Sequence, residues 1–144
     1  MSGAVFDASG ILVTIRRMGD EAPRVLMNAS TIPLAFYEVG NAIWKESRIH
    51  RRFDLPEAKR LMDNISALLR GMGEIKPPEE EVLELAYEHR ITFYDASYLA
   101  AARAFERTLV TDDRKIIKVG RKAGDKVTTV HDHLEEAGFL GNGR

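Results

Sequence analysis

Four carboxylates stand where the hydrophobic pattern of this chain changes, and they restrict the folds it can adopt. Asp7 closes the apolar run Ala4-Val5-Phe6 and opens a helix-like stretch. Glu38 sits inside the apolar helical pattern from Leu34 to Trp44. Asp95 follows Thr92-Phe93-Tyr94 and begins an alanine-rich helix, and Asp113 follows the short run Leu109-Val110-Thr111. Short apolar strands alternating with longer helical patterns indicate a three-layer α/β fold built on a parallel sheet. Such sheets bind ligands outside the carboxyl ends of their strands, where the strand order reverses. Carboxylates gathered at strand ends raise one another's pKa values unless a cation is present. The pattern therefore points to a hard-metal site and to metal-dependent phosphate chemistry.

The element boundaries follow from periodicity and from local breakers. Gly3 to Ala8 reads as a buried strand, with Ser9 capping a helix that carries Ile11, Leu12 and Ile15 and stops near Gly19. A short helix is expected over Ala22 to Met27 with Pro23 in its first turn, and a strand end at Thr31-Ile32. Pro33 suits the first turn of the next helix, whose Leu34, Phe36, Val39, Ile43 and Trp44 make it apolar nearly all round. A helix of that kind is expected to be buried. Glu38, Asn41 and Lys45 fall at i, i+3 and i+7 and form one narrow polar stripe on it. Leu55-Pro56 starts a helix that ends at Gly71 and Gly73, and Pro77-Pro78 followed by three glutamates starts another. The remaining elements are a helix over Asp95 to Phe105, a strand over Thr108 to Thr111, and a helix over Arg114 to Lys122. A last strand from Lys126 to Val130 leads into a closing helix from Asp132. About four to five strands flanked by helices form the expected sheet, in a single domain spanning residues 1–144.

Composition narrows the function. The 144 residues carry a formal net charge of −1, so any nucleic-acid binding must come from local patches, not from a global basic field. With no cysteine, disulfides and thiolate zinc sites are excluded, which is compatible with a cytoplasmic location. No apolar run approaches the ~20 residues of a membrane span, and the N-terminus does not have the pattern of a signal peptide.

Each acid also has a plainer explanation. Asp95 and Asp113 suit helix caps or first-turn acids. Asp7, directly after an apolar strand, is harder to dismiss, and Glu38 within a helix built for burial needs a partner. That partner is either a metal site or an ion pair with Lys45 or a distant arginine. Mg²⁺ and Mn²⁺ prefer oxygen ligands, and one or two direct carboxylates usually suffice while others hold bound waters. His131-Asp132-His133 resembles a ligand cluster, but residues at i and i+2 do not share a helix face, so a strand exit with Asp132 as cap is the better reading. Basic residues gather around Lys45 and Arg48 and again at Lys115 and Lys118, close to two of the acids. A solvated surface is the default for such runs, but they also suit an RNA backbone leading into an acidic pocket.

Val5-Phe6-Asp7-Ala8-Ser9, Glu38-Val39-Gly40-Asn41-Ala42, Tyr94-Asp95-Ala96-Ser97 and Leu109-Val110-Thr111-Asp112-Asp113, in that order, resemble the PIN-domain nucleases. Within them the chain is most similar to the VapC-type toxins of prokaryotic toxin–antitoxin pairs. The resemblance implies an acidic pocket of Asp7, Glu38, Asp95 and Asp113, supported by Ser9, Asn41 and Thr111. It implies a Mg²⁺- or Mn²⁺-dependent endoribonuclease that leaves 5′-phosphate and 3′-hydroxyl ends. Such proteins are commonly homodimers and are silenced by a cognate antitoxin. Two departures stand out. Glu106 occupies a turn where the family usually has glycine, and Asp112 beside Asp113 blurs which acid is the ligand, although the threonine spacing favours Asp113. The rival functions are a catalytically silent PIN scaffold that binds RNA or protein, and a receiver-like phospho-acceptor domain. Receivers need an acidic pair after the first strand, whereas Asp7 is followed by Ala8 and Ser9.

Overall fold

The computed structural model describes residues 3–141. Its centre is a five-stranded sheet, parallel throughout, made of β1 (Ala4–Phe6), β2 (Ser30–Thr31), β3 (Gly73–Glu74), β4 (Thr108–Val110) and β5 (Val127–Thr128). The spatial order is β3-β2-β1-β4-β5, so the winding direction reverses between β1 and β4. These two strands pair in register, with Ala4, Val5 and Phe6 opposite Thr108, Leu109 and Val110. All six residues except Thr108 are buried, as strands covered on both faces require. The strands are shorter than the sequence pattern suggests, because their flanking residues turn at once into helices or loops.

The helices are α1 (Ala8–Met18), α2 (Ala22–Leu26), α3 (Leu34–Trp44), α4 (Leu55–Gly71), α5 (Glu79–His89), α6 (Phe93–Ala104), α7 (Arg114–Lys122) and α8 (Val130–Glu136). One buried cluster lies on the α5–α6 side of the sheet, with Val5, Leu85, Leu99, Leu109 and Ile116. Another lies on the α1–α2 side, with Phe6, Ile11, Leu26, Val110 and Leu134. The three-layer α/β expectation therefore holds. The edge strand β3 was not expected: Gly73 and Glu74 are exposed, without the apolar residues that mark a strand. Its hydrogen bonds to β2 depend on tertiary placement alone.

Several local expectations are corrected. Ser9 does not cap α1. Asp7 does, because its extended backbone leaves the side chain free to accept from Gly10 N–H, while Ser9 already lies in the first turn. Thr129, not Asp132, caps α8 and accepts from Asp132 N–H. Helix α6 starts before Asp95: Thr92 caps it, and Phe93 and Tyr94 are its first helical residues. Helix α3 buries only Ala35, Val39 and Ile43, whereas Phe36, Tyr37 and Trp44 are exposed. It runs on into a π-helical turn over Lys45–Ile49 that the apolar pattern did not indicate. Glu106 takes a left-handed backbone, φ 52°, the conformation that glycine adopts without strain. The turn geometry associated with glycine is thus present, held by a side chain that strains it.

Candidate functional site

Parallel pairing puts the carboxyl ends of β1 and β4 side by side, so the residues leaving them share one crevice. Asp7 leaves β1, and Thr111, Asp112 and Asp113 leave β4. Glu38 arrives from the middle of α3 and Asp95 from the first turn of α6. All four acids line a single cavity of about 640 Å³ together with Ser9, Asn41, Tyr98 and Lys45. The placement at the strand-order reversal is where open α/β sheets bind ligands.

Asp7 is the most constrained member, at 3% exposure. Its Oδ1 accepts from the Ser9 hydroxyl and from Gly10 N–H, each at 2.7 Å, and its Oδ2 accepts from the Thr111 hydroxyl at 2.5 Å. Thr111 in turn accepts from Asp113 N–H at 3.0 Å, so one buried hydroxyl ties the two strand-end acids together. Burial pushes Asp7 up to about 6 despite these donors, and Asp113 nearby adds to the rise. Gly10 completes the fit: a Cβ there would lie 2.5 Å from the Val110 carbonyl and 3.2 Å from Asp7 Oδ1.

Among the described residues Glu38 finds neither of the ion-pair partners considered for it. Its Oε1 accepts from the hydroxyl of Tyr98, an α6 residue 1% exposed, at 2.6 Å. Partial burial raises the Glu38 pKa, and Asp95 and Asp113 push it in the same direction against the Tyr98 bond. Asp95 is raised as well, by burial and then by Asp113, with the Lys115 ammonium opposing. Tyr98 was not anticipated as part of the site. An aromatic in an alanine-rich helix reads as core, and nothing in the linear pattern marks its hydroxyl.

The caps and the cavity are not exclusive alternatives. Asp113 Oδ1 caps α7 by accepting from Lys115 and Ile116 N–H, and the same residue lines the cavity. Asp112 turns the other way, its Oδ1 accepting from Val130 N–H at 2.9 Å at the start of α8. It does not line the cavity, which separates the two adjacent acids. Of the basic residues, Lys45 lines the cavity and Lys115 is close enough to act on Asp95. Arg48 and Lys118 are exposed and do not line it. His131 meets Arg17 and Glu135, and the half-buried His133 packs edge-on to Phe6, so this stretch lies apart from the acids.

Oxygen donors, with no sulfur or imidazole among the cavity residues, are the ligand chemistry of Mg²⁺ and Mn²⁺. Among the described residues no three His, Asp or Glu side chains converge tightly enough to clamp an ion at once. The arrangement fits a hard ion held directly by one or two carboxylates, with its remaining waters held by the others.

The fold and this acid-lined crevice are those of a PIN-type α/β protein. Comparison with known proteins agrees. Over 95 residues the chain is 39% identical to Exonuclease VapC9 of Pyrobaculum aerophilum, covering 66% of this chain and 69% of that protein. Over 119 residues it is 30% identical to Ribonuclease VapC3 of the same organism, covering 78% and 90%. The crystal structure of PAE2754 from Pyrobaculum aerophilum superposes with a TM-score of 0.79 at 30% identity, covering 96% of this chain and 98% of that one. A toxin–antitoxin complex from Klebsiella pneumoniae, at 19% identity and a TM-score of 0.61, shares the fold; it covers 89% of this chain and 98% of its own. No protein-family model matches. The chain belongs to the VapC family of PIN-domain nucleases.

Proposed function

We propose that the protein is a divalent-metal-dependent endoribonuclease, the toxin of a VapBC-type pair. The observation that carries this reading is the meeting of Asp7, Glu38, Asp95 and Asp113, from four separate parts of the chain, in one cavity at the strand-order reversal. Burial and mutual repulsion raise three of them, so the carboxylates by themselves are electrostatically unfavourable and a cation relieves them. Asp7 and Asp113 are the residues to hold a Mg²⁺ or Mn²⁺ ion, with Glu38 and Asp95 orienting its waters. When bound, such an ion polarises a phosphoryl oxygen and lowers the pKa of a water. The protein's part is placement: Ser9 and Thr111 fix the Asp7 carboxylate, Tyr98 fixes Glu38, and Asn41 offers an amide at the rim. Lys45 and Lys115 bring positive charge toward an incoming phosphate.

One relative is named an exonuclease and another a ribonuclease, so the mode of attack calls for a substrate without ends. Circular single-stranded RNA incubated with Mn²⁺ should be opened by the wild type, with no cleavage in EDTA or by Asp113→Asn. Cleavage of linear RNA alone, stepwise from an end, would replace the endonuclease reading with an exonuclease one. No cleavage of either would favour a silent scaffold.

Regulation by an antitoxin belongs to the same reading. An apolar groove lined by Leu12, Ile15, Ala42, Ile43, Phe53 and Leu61 adjoins the acidic cavity and shares Leu12 and Ala42 with it. An inhibitor segment seated there would extend into the carboxylates, where an arginine fork matches their geometry. Homodimer formation and a cytoplasmic location complete the proposal. No helix among the described residues is long and apolar enough to cross a membrane.

A further inference from the structure

The acidic cavity is poorly suited to holding RNA by charge. Its lining carries four carboxylates against the single ammonium of Lys45, and a bound divalent ion still leaves negative charge in excess. The chain as a whole is at −1. A polyanion needs some other source of affinity at this point.

Two aromatic rings on the same cavity supply one. Tyr37 on α3 and Tyr94 on α6 both line it, and each stands one residue before a cavity acid, Glu38 and Asp95 respectively. They are 70% and 59% exposed, unlike Tyr98 on the same lining, which is buried with its hydroxyl committed to Glu38. Tyr37 is not loose: Phe36 packs against it edge-on at 5.2 Å between ring centroids. A braced ring beside a phosphate site loses little freedom on taking up a flat partner.

We propose that Tyr37 and Tyr94 are stacking platforms for unpaired nucleobases flanking the phosphate held at the acids. Stacking tolerates any base, because every base has a π-face, and it is open only to bases not already stacked in a duplex. The pair therefore selects single-stranded segments or loops and adds affinity to the little that Lys45 and Lys115 supply by charge. This rests on the ribonuclease reading and adds to it a substrate subsite.

Steady-state cleavage of a short single-stranded RNA with Mn²⁺ separates the possibilities. Tyr37→Ala and Tyr94→Ala should each raise KM roughly 5- to 150-fold, the range of a lost base–aromatic stack, with a much smaller change in kcat. Tyr37→Phe and Tyr94→Phe should restore KM, since the ring and not the hydroxyl is used. RNA carrying an abasic residue beside the cleaved bond should cost the wild type a similar factor and cost the matching alanine variant little. Alanine variants with wild-type KM, or with the same loss on abasic and intact RNA, would overturn the stacking role. A KM rise that only follows dissociation of an oligomer in sedimentation would also overturn it. If the wild type leaves the RNA uncut, the ribonuclease reading itself falls; if it cuts and the tyrosines prove indifferent, only this inference does.

Discussion

A buried carboxylate that receives three hydrogen bonds would ordinarily titrate low, yet Asp7 is pushed up to about 6 from 3.8. Desolvation outweighs its donors, as it does where a charge leaves water without a counter-charge. The sign for stability follows directly. Below pH 3.8 Asp7 is neutral in folded and unfolded chains and costs nothing. As pH rises toward 6 the unfolded chain releases its proton first, and the metal-free fold loses about 3 kcal/mol by neutral pH. Asp7→Asn keeps the shape and an acceptor for Ser9 and Gly10 but removes the charge. In EDTA it should melt several degrees above the wild type at pH 7.5, with the gap closing toward pH 4, while its nuclease activity is lost. An equal gap at both pH values in calorimetry would contradict this account. Tyr98 acts one bond further out. Tyr98→Phe should leave the fold intact, since only a hydroxyl is lost, but free the Glu38 carboxylate to rotate. The Mn²⁺ concentration for half-maximal activity should rise roughly 10–100-fold, as when a group orienting a metal ligand is removed. A role in packing alone would lower the melting temperature and leave that midpoint where it was.

At the scale of elements, the site depends on how closely α1 approaches β4. Gly10 lets the first turn of α1 lie against the Val110 carbonyl, and that approach brings Thr111 within reach of Asp7. Alanine at an interior helical position would ordinarily add about 1 kcal/mol of helix propensity. Here the added carbon would sit 2.5 Å from a backbone oxygen that cannot swing aside. Gly10→Ala should therefore destabilise by about 1–3 kcal/mol in urea unfolding, the usual result of overpacking, and weaken activity by displacing Asp7. No change in either would mean that α1 can shift without moving the site. Helix α3 teaches the opposite lesson about apolar pattern. Phe36, Tyr37 and Trp44 made it look buried all round, but it covers the core with one face and leaves the others open. Hydrophobic side chains on a surface helix beside a binding crevice are as consistent with a partner or substrate as with a core.

For the whole molecule, the proposed metal binding would be linked to folding, because the carboxylates meet only in the native state. Mg²⁺ or Mn²⁺ added to metal-stripped protein should raise the melting temperature, by about 2.7 kcal/mol of stability at one hundred times the dissociation constant. Asp113→Asn should blunt that response. Asp112→Ala should lower stability at every metal concentration, by removing the acceptor for Val130 N–H, and leave the metal response unchanged. A thermal scan that treats positions 112 and 113 alike would undo the distinction. The sequence by itself determined the parallel α/β architecture, most helix boundaries and the sharing of one cavity by four acids. Those features are written in local periodicity, in breakers such as Pro33 and Pro56, and in the placement of carboxylates after apolar runs. It did not contain β3, whose Gly73 and Glu74 become a strand only because β2 offers a free edge. It separated Asp113 from Asp112 only through the threonine spacing of the resemblance, and it did not mark Tyr98 as the partner of Glu38. Those choices depend on which way a side chain points once residues far apart in the chain are packed together, Glu38 with Tyr98 60 positions away and Asp112 with Val130 18 away, and only the tertiary structure sets that direction.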